Sequence, residues 1–294
     1  MKKRGLQIFG LFGNPLSHSL SPAIQECAFS KNKILAHYLL FDITPSVVSK
    51  VFKNLKKQPV DGFNLTVPYK ETIIPFLDRI SPEARMIGAV NTVYRKGNQW
   101  LGTNTDAYGF SMSLKKEVGF SPHGKTVCVL GAGGASKAVV YGLLSQNVKK
   151  IFLLNRTTSR ARKLKETMIR SFPKAEIRIG QIHKTSVIQA ITESSLIVNT
   201  TSVGLKNSDY ELFSYDSIPR ARDERKIFYD LIYYPEKTNF LRAASKKGHV
   251  ILNGAGMLVY QGAKAFEFWT KQKAPINEMK KAFDQALEIK KEVQ

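Results

Sequence analysis

One ten-residue stretch constrains this chain more than any other: Val127-Cys128-Val129-Leu130-Gly131-Ala132-Gly133-Gly134-Ala135-Ser136. Thr126–Leu130 is an apolar run with no polar alternation, the pattern of a strand buried on both faces. It runs straight into a glycine-rich turn and then a helical stretch to about Ser145. Strand, glycine loop and helix in that order open a βαβ unit, and β–α alternation implies parallel strands joined by crossover helices. Glycines let the backbone turn tightly and approach a pyrophosphate, while the helix start offers free N–H groups and a partial positive charge. Gly131, Ala132, Gly133, Gly134 and Ala135 are therefore candidate contacts of a dinucleotide. The third glycine position of the usual pattern holds Ser136, still small enough for close helix packing.

The end of the next strand, Ile151–Leu154, bears on which dinucleotide. An acidic residue there would bind the ribose hydroxyls of NAD. This chain instead reads Asn155-Arg156-Thr157-Thr158-Ser159-Arg160, two guanidiniums with several hydroxyls and no carboxylate. Arginine suits a planar grip on phosphate, so the segment points to the 2′-phosphate of NADP. Arg160 taken alone fits a solvated helix start equally well.

Further runs at Leu196–Asn199, Ile227–Leu231 and Val250–Leu252 continue the parallel pattern, and a helical tail is expected from about Gly262 to Lys291. Upstream, strands are expected at Leu6–Phe12, Ala36–Phe41 and Gly62–Val67, with a hairpin-like pair at Val90–Tyr94 and around Trp100. Helices are expected at Val47–Leu55 and from Asp106 to Val118. Ser21-Pro22 and Ser81-Pro82 each read as a capping residue with proline at the first helical position.

At 294 residues with 43% hydrophobic content, the chain can bury a sizeable core. Its formal net charge of +22 raises the local concentration of anions. That charge is compatible with a solvated lysine-rich surface, with steering of anionic ligands, or with non-specific attraction of nucleic acid. No aromatic-interleaved basic run or nucleic-acid motif accompanies it, so no specific nucleic-acid partner is expected. The two cysteines lack metal-ligand spacing, no metal is expected, and Cys128 reads as a small buried residue. Basic residues at the start are followed too soon by Gly10, Gly13 and Pro15 for a signal segment, and no run is long enough to span a bilayer. A cytoplasmic chain without a membrane partner, monomeric or homodimeric, is the expectation.

Polar residues crowd the strand ends of the first hundred positions. Gly13-Asn14-Pro15-Leu16-Ser17-His18-Ser19-Leu20-Ser21-Pro22 sets hydroxyls ahead of a helix, which suits a carboxylate but is also an ordinary helix start. Asn64-Leu65-Thr66-Val67-Pro68-Tyr69-Lys70-Glu71 pairs a proline stop with a lone lysine. Gly88–Thr92 and Gly102–Asp106 are two more polar strand ends. A lysine beside an aspartate makes an acid/base pair in which the carboxylate orients the ammonium.

These segments, with LGAGGAS, NRT, NTTSVG, DLIYYP and NGAGMLVYQGA, together resemble the shikimate/quinate dehydrogenase family. The resemblance is ordered, spans nearly the whole chain and rests on long motifs. It implies an α/β fold with an N-terminal α/β substrate domain (1–106), a Rossmann-like NADP domain (107–240), and a last stretch (241–294) that ends the NADP domain and returns helices to the first, with a cleft between the domains. It implies NADPH-dependent reduction of 3-dehydroshikimate to shikimate, on the route to chorismate and aromatic amino acids. A quinate/shikimate dehydrogenase with broader substrate and NAD/NADP use is the alternative. By the same resemblance, Lys70 and Asp106 are the catalytic pair. Ser19 and Ser21 would hold the substrate carboxylate, and Thr66, Asn91 and Gln261 its hydroxyls or ring. The Gly131–Ser136 loop would take the pyrophosphate, and Asn155, Arg156, Thr157 and Arg160 the adenosine phosphate. Thr201, Tyr233, Gly254 and Met257 would line the nicotinamide end, Tyr233 on the substrate side. The chain departs from the family at Gln25 and Glu26, where His and Asn are frequent, and at Asn253, where Asp is frequent.

Overall fold

The computed structural model describes residues 5–57, 59–205, 210–221 and 224–292. The chain divides into two compact units, Met1–Gly109 with Leu258–Gln294, and Phe110–Met257.

The first unit is built on β1 (Gln7–Gly13), α1 (Ser21–Lys31), β2 (Ala36–Asp42), α2 (Pro45–Lys53), β3 (Gly62–Leu65), β4 (Arg79–Ile80), α3 (Pro82–Ile87), β5 (Thr92–Lys96) and β6 (Gln99–Thr103), after which α4 (Asp106–Glu117) begins. Its sheet has the order β2-β1-β3-β5-β6-β4. β1 pairs in parallel with β2 and β3, whereas β5 runs antiparallel to both β3 and β6. The core is aromatic: Phe12, Phe52, Phe63, Tyr69 and Trp100 are buried together. From Leu258 onward the chain's last helix pair belongs to this unit, and Trp269 stacks on Phe9 at 5.0 Å.

The second unit contains β7 (Thr126–Leu130), α5 (Gly134–Leu144), β8 (Lys150–Asn155), α6 (Thr158–Ile169), β9 (Glu176–Gln181), α7 (Lys184–Glu193), β10 (Leu196–Asn199), β11 (Ile227–Asp230), α8 (Asn239–Lys246) and β12 (Val250–Leu252). All neighbouring strands are parallel, in the order β12-β11-β10-β7-β8-β9. Numbered from β7, that is the doubly wound 3-2-1-4-5-6 order, and its switch point lies between β7 and β10. The apolar runs now have a reason. Val127 and Val129 pack into one core cluster and Cys128 and Leu130 into another. Successive side chains point to opposite faces and both faces are covered.

Three expectations need correction. Ser81 does cap α3, accepting from the Ala84 N–H at 3.1 Å, but the N-cap of α1 is Leu20, which makes no side-chain cap bond. Ser21 is instead the first helical residue. The helical tail is two helices, α9 (Ala255–Thr270) and α10 (Ile276–Glu292). Lys271, at φ +61, ends α9 in the left-handed region, and Pro275 stands just before α10, where it cannot continue a helix. The strand β9 and helix α7 were not expected. Polar residues interrupt both runs, as in Glu176-Ile-Arg-Ile-Gly-Gln181, whose outer face is solvated.

No helix among the described residues is long and apolar enough to cross a membrane. No cluster of three or more His, Cys, Asp or Glu that could hold a metal occurs among them.

Candidate active site

Three strand ends of the first unit are knitted together by backbone bonds. The Leu65 N–H donates to Asn91 O at 2.9 Å, the Asn91 N–H to Thr103 O at 3.1 Å, and the Val90 N–H to Lys70 O at 2.8 Å. This brings Lys70, just after β3, to Asp106, the first residue of α4. Lys70 Nζ lies 2.7 Å from Asp106 Oδ2, and the side chains are 18% and 8% exposed. The pair is shielded enough for its charges to matter, yet the ammonium stays reachable.

The other carboxylate oxygen is fixed by Asn91, whose Nδ2 donates to Asp106 Oδ1 at 2.7 Å. The orientation of this amide follows from its neighbours. The Thr105 backbone N–H, which can only donate, points at Asn91 Oδ1 at 2.7 Å, so the nitrogen must face Asp106. The same Nδ2 lies 3.2 Å from Gln261 Oε1. Four residues singled out from the sequence, Lys70, Asn91, Asp106 and Gln261, thus converge in one hydrogen-bonded group.

Behind them runs a buried polar chain. Tyr38 OH donates to Asn64 Oδ1 (2.8 Å), Asn64 Nδ2 to Thr92 Oγ1 (3.0 Å), and Thr92 Oγ1 to Asn91 Oδ1 (3.0 Å). Burial pushes the Tyr38 phenol well above its ordinary pKa, with the Ser21 hydroxyl pulling the other way. Tyr38, Asn64, Thr92 and Thr105 were not singled out. Their polar character was visible, but nothing local says that their side chains point inward.

Ser19 and Ser21 sit at the start of α1, where the Ser21 N–H donates to Ser19 Oγ at 3.3 Å. Neither serine caps the helix in the usual way, Pro22 has no N–H to offer and the Ile24 N–H is on Leu20 O at 3.4 Å, so an anion here would be met by the serine hydroxyls and the positive end of the helix. Thr66 follows β3, half-buried, its N–H on Phe12 O at 3.0 Å.

In the second unit, Gly131 follows β7 with φ +108, and a Cβ there would meet Thr200 Oγ1 at 2.5 Å. Only glycine fits. At Gly133 and Gly134 a Cβ would meet nothing within 4 Å. These two therefore leave open space over the start of α5, as a pyrophosphate would require, so the residues present fit a dinucleotide. Asn155 spends its amide on the loop, accepting from the Ala132 N–H at 3.1 Å and donating to Thr157 O at 2.8 Å. Arg156, Thr157 and Arg160 are exposed beyond β8, where an adenosine ribose lies in this topology. Thr201 follows β10, its N–H and hydroxyl both on Asn199 Oδ1 at 3.0 and 2.8 Å. Tyr233 follows β11, half-buried. Gly254 follows β12, its N–H on Ile232 O at 3.0 Å, and a Cβ there would strike Leu231 O. Met257 lies in the first turn of α9, half-buried.

The departures from the family pattern have local uses. Gln25 is buried and donates to Gly262 O at 2.9 Å, tying α1 to α9. Glu26 accepts the Tyr38 N–H on β2, and Asn253 bridges Glu236 O and the Ala255 N–H at 3.1 Å each.

A doubly wound sheet with this glycine loop, joined in one chain to a part-buried lysine–aspartate pair, defines a dinucleotide-dependent oxidoreductase. Residues 11–93 match the family model for the shikimate dehydrogenase substrate binding domain, 113–226 that for shikimate / quinate 5-dehydrogenase, and 254–282 that for the shikimate 5′-dehydrogenase C-terminal domain. The chain is 40% identical over 269 residues to the NADP(+) shikimate dehydrogenase of Aquifex aeolicus, covering 92% of this chain and 93% of that one. It is 37% identical to that of Geobacillus kaustophilus over 281 residues, covering 96% and 99%. The crystal structure of the Thermus thermophilus shikimate 5-dehydrogenase, in complex with NADP(H) and shikimate, superposes with a TM-score of 0.83 at 34% identity, covering 95% of this chain and 99% of that one. The chain belongs to the shikimate dehydrogenase family.

Proposed function

We propose that this chain catalyses the reversible, NADP-dependent reduction of 3-dehydroshikimate to shikimate, a step towards aromatic amino acids. The observation that carries this reading is the Lys70–Asp106 contact of 2.7 Å, held from behind by Asn91, in a chain whose relatives bear that activity in their names.

In the first unit, Ser19 and Ser21 at the start of α1 take the substrate carboxylate. Thr66, Asn91 and Gln261 take its hydroxyls. In the second, the Gly131–Ala135 loop takes the pyrophosphate, and Arg156, Thr157 and Arg160 take the 2′-phosphate, with Asn155 holding the loop against β8. Thr201, Gly254 and Met257 face the nicotinamide, and Tyr233 the substrate side. NADPH, when bound, supplies the hydride that reduces the ketone carbon. Lys70 gives a proton from Nζ to the carbonyl oxygen as negative charge develops there, leaving a neutral amine that regains its proton from water. In the oxidative direction the neutral amine accepts the hydroxyl proton. Asp106 keeps Nζ aimed, and Asn91 keeps Asp106 from rotating.

The test is an absorbance assay for NADP+ reduction with shikimate, repeated with NAD+ and with quinate. The expected result is turnover with shikimate and NADP+ at far higher kcat/KM than with either alternative. Absence of shikimate turnover overturns the reading. Equal use of NAD+ or quinate would replace it with a quinate/shikimate dehydrogenase.

A further inference from the structure

We propose that Asp230 is a positioning residue for the cofactor half of this reaction: through hydrogen bonds alone it fixes the segments that follow β10 and β11 at the carboxyl edge of the parallel sheet. The link to the cofactor rests on the function proposed above, while the hydrogen-bonding role does not.

Asp230 closes β11 and is 0% exposed. A buried carboxylate is ordinarily offset by a cation. The hydrogen-bond donors recorded for this one are all uncharged. Asn199 Nδ2 lies 3.2 Å from each oxygen, the Ile232 N–H donates to Oδ1 at 3.1 Å, and Thr238 Oγ1 donates to Oδ2 at 2.7 Å. Burial outweighs these donors and pushes the pKa up to about 6. The titratable group that feels its charge is Tyr215, whose phenol burial pushes up to about 12. Among the described residues no ion pair joins it to a lysine, arginine or histidine.

An ionised carboxylate only accepts, and that dictates the orientation of everything around it. Asn199 presents Nδ2 to Asp230, because a flipped amide would set oxygen against oxygen, both here and at Val203 O, which takes Nδ2 at 3.2 Å. Its Oδ1 is thereby turned to Thr201, where it accepts both the N–H (3.0 Å) and the hydroxyl (2.8 Å). The Thr201 hydroxyl, its proton committed, accepts the Val203 N–H at 3.2 Å. On the other side the Ile232 N–H is pinned, and Ile232 O takes the Gly254 N–H at 3.0 Å. Thr238 gives its proton to Asp230 and caps α8 through the Leu241 N–H at 3.4 Å. One carboxylate therefore sets Thr201, the Leu231–Ile232 turn and, through it, Gly254. A neutral amide in its place would present a donor where Asn199 and either Ile232 or Thr238 also donate, and would weaken the hold on Asn199.

The test compares the whole chain with D230N and D230A by fluorescence titration of NADPH, steady-state kinetics and hydrogen exchange at single amides. In D230A the NADPH dissociation constant is expected to rise about tenfold, or about 1.4 kcal/mol, with the shikimate KM at saturating cofactor within about twofold of wild type. D230N should fall between, with faster exchange at Thr201 and Val203 while Ile232 stays protected. Should D230A fail to fold, D230N carries the test. A purely structural role would lower the melting temperature and leave the NADPH affinity of the folded protein unchanged, and that result, or unaltered exchange at Thr201 and Val203 in D230N, overturns the proposal. If wild type binds NADPH but does not oxidise shikimate, the proposed function fails and this inference stands on the affinities. If wild type does not bind NADPH, the link to the cofactor falls and the exchange pattern decides the rest.

Discussion

Asp106 and Asp230 are both buried carboxylates at the C-terminal ends of a strand layer, and the chain treats them in opposite ways. Asp106 is met by the Lys70 ammonium at 2.7 Å and keeps a sliver of exposure. Asp230 has amide and hydroxyl donors and no exposure. A paired carboxylate costs little to keep ionised and can hold a proton-transfer group on a short leash. An unpaired one is expensive, and the return is geometric, since it accepts from every neighbour and dictates their orientation. The lesson is that burial of a charge does not by itself mark a catalytic group. What distinguishes the two is whether a mobile proton lies within reach of the carboxylate.

That contrast breaks first at Lys70. Lys70→Ala is expected to lower turnover by about 10²–10⁴-fold, the usual worth of general acid–base catalysis, with the NADPH dissociation constant near that of wild type. Asp106→Asn keeps the shape and removes the charge that aims Nζ, so it should lower turnover in the same direction, by less. Stopped turnover measurements and an NADPH titration on the same preparations check both. Unchanged turnover in Lys70→Ala would remove the chemical half of the comparison.

The second consequence belongs to Asp230 and is read in stability. Its carboxyl has a folded-state pKa of about 6, above the ordinary unfolded value of about 3.9. Between those two values the native chain holds a proton that the unfolded chain has lost. The stabilisation is thus fully present below about pH 3.9 and is lost as pH rises through about 6. The size is about 3 kcal/mol for two units. In Asp230→Asn this slope disappears. Urea unfolding of wild type and variant at several pH values between about 4 and 7 checks it, and identical slopes in the two proteins would show that burial does not raise the Asp230 carboxyl.

The exposed counterpart of these buried groups is the segment beyond β8. Arg156→Ala with Arg160→Ala removes the guanidiniums offered to the 2′-phosphate. A charge-assisted hydrogen bond is worth about 1.5–3 kcal/mol, so the KM for NADP+ should rise by about 10–100-fold while kcat with saturating cofactor and the KM for shikimate hold. A preference for NADP+ that survives the double substitution would place the phosphate elsewhere.

How much of this was legible in the sequence differs between the units for a physical reason. The second unit announces itself locally. Its strands are covered on both faces, so Thr126–Leu130 and Ile151–Leu154 read as unbroken apolar runs, and the glycine loop lies in one contiguous stretch. The first unit hides its site. Lys70 and Asp106 are separated by a hairpin and a short helix, and only the family resemblance joined them before the fold did. Asn64, Thr92 and Asp230 lie in segments that were noted, but no role was assigned to them, because a polar residue at a strand end looks the same whether it faces water or a buried partner. The break at Lys271–Pro275 carried a signal, the proline, that the helical periodicity on either side masked.

The smallest effect separates two segments that look alike on paper. Ser21-Pro22 and Ser81-Pro82 both read as helix caps, yet only Ser81 accepts a first-turn N–H, at 3.1 Å from Ala84 N. Ser81→Ala should therefore cost about 1 kcal/mol, the usual worth of an N-cap, with kinetics of the folded protein intact. Ser21→Ala removes no cap, so its stability should change by less than about 0.5 kcal/mol. Its cost should fall instead on the substrate carboxylate, as a rise in shikimate KM with the KM for NADP+ unchanged. Denaturant melts and initial rates on the two variants give a crossed pattern if the α1 start is a binding site rather than a cap. A parallel pattern, with both variants losing stability and neither changing KM, would return Ser21 to an ordinary structural serine.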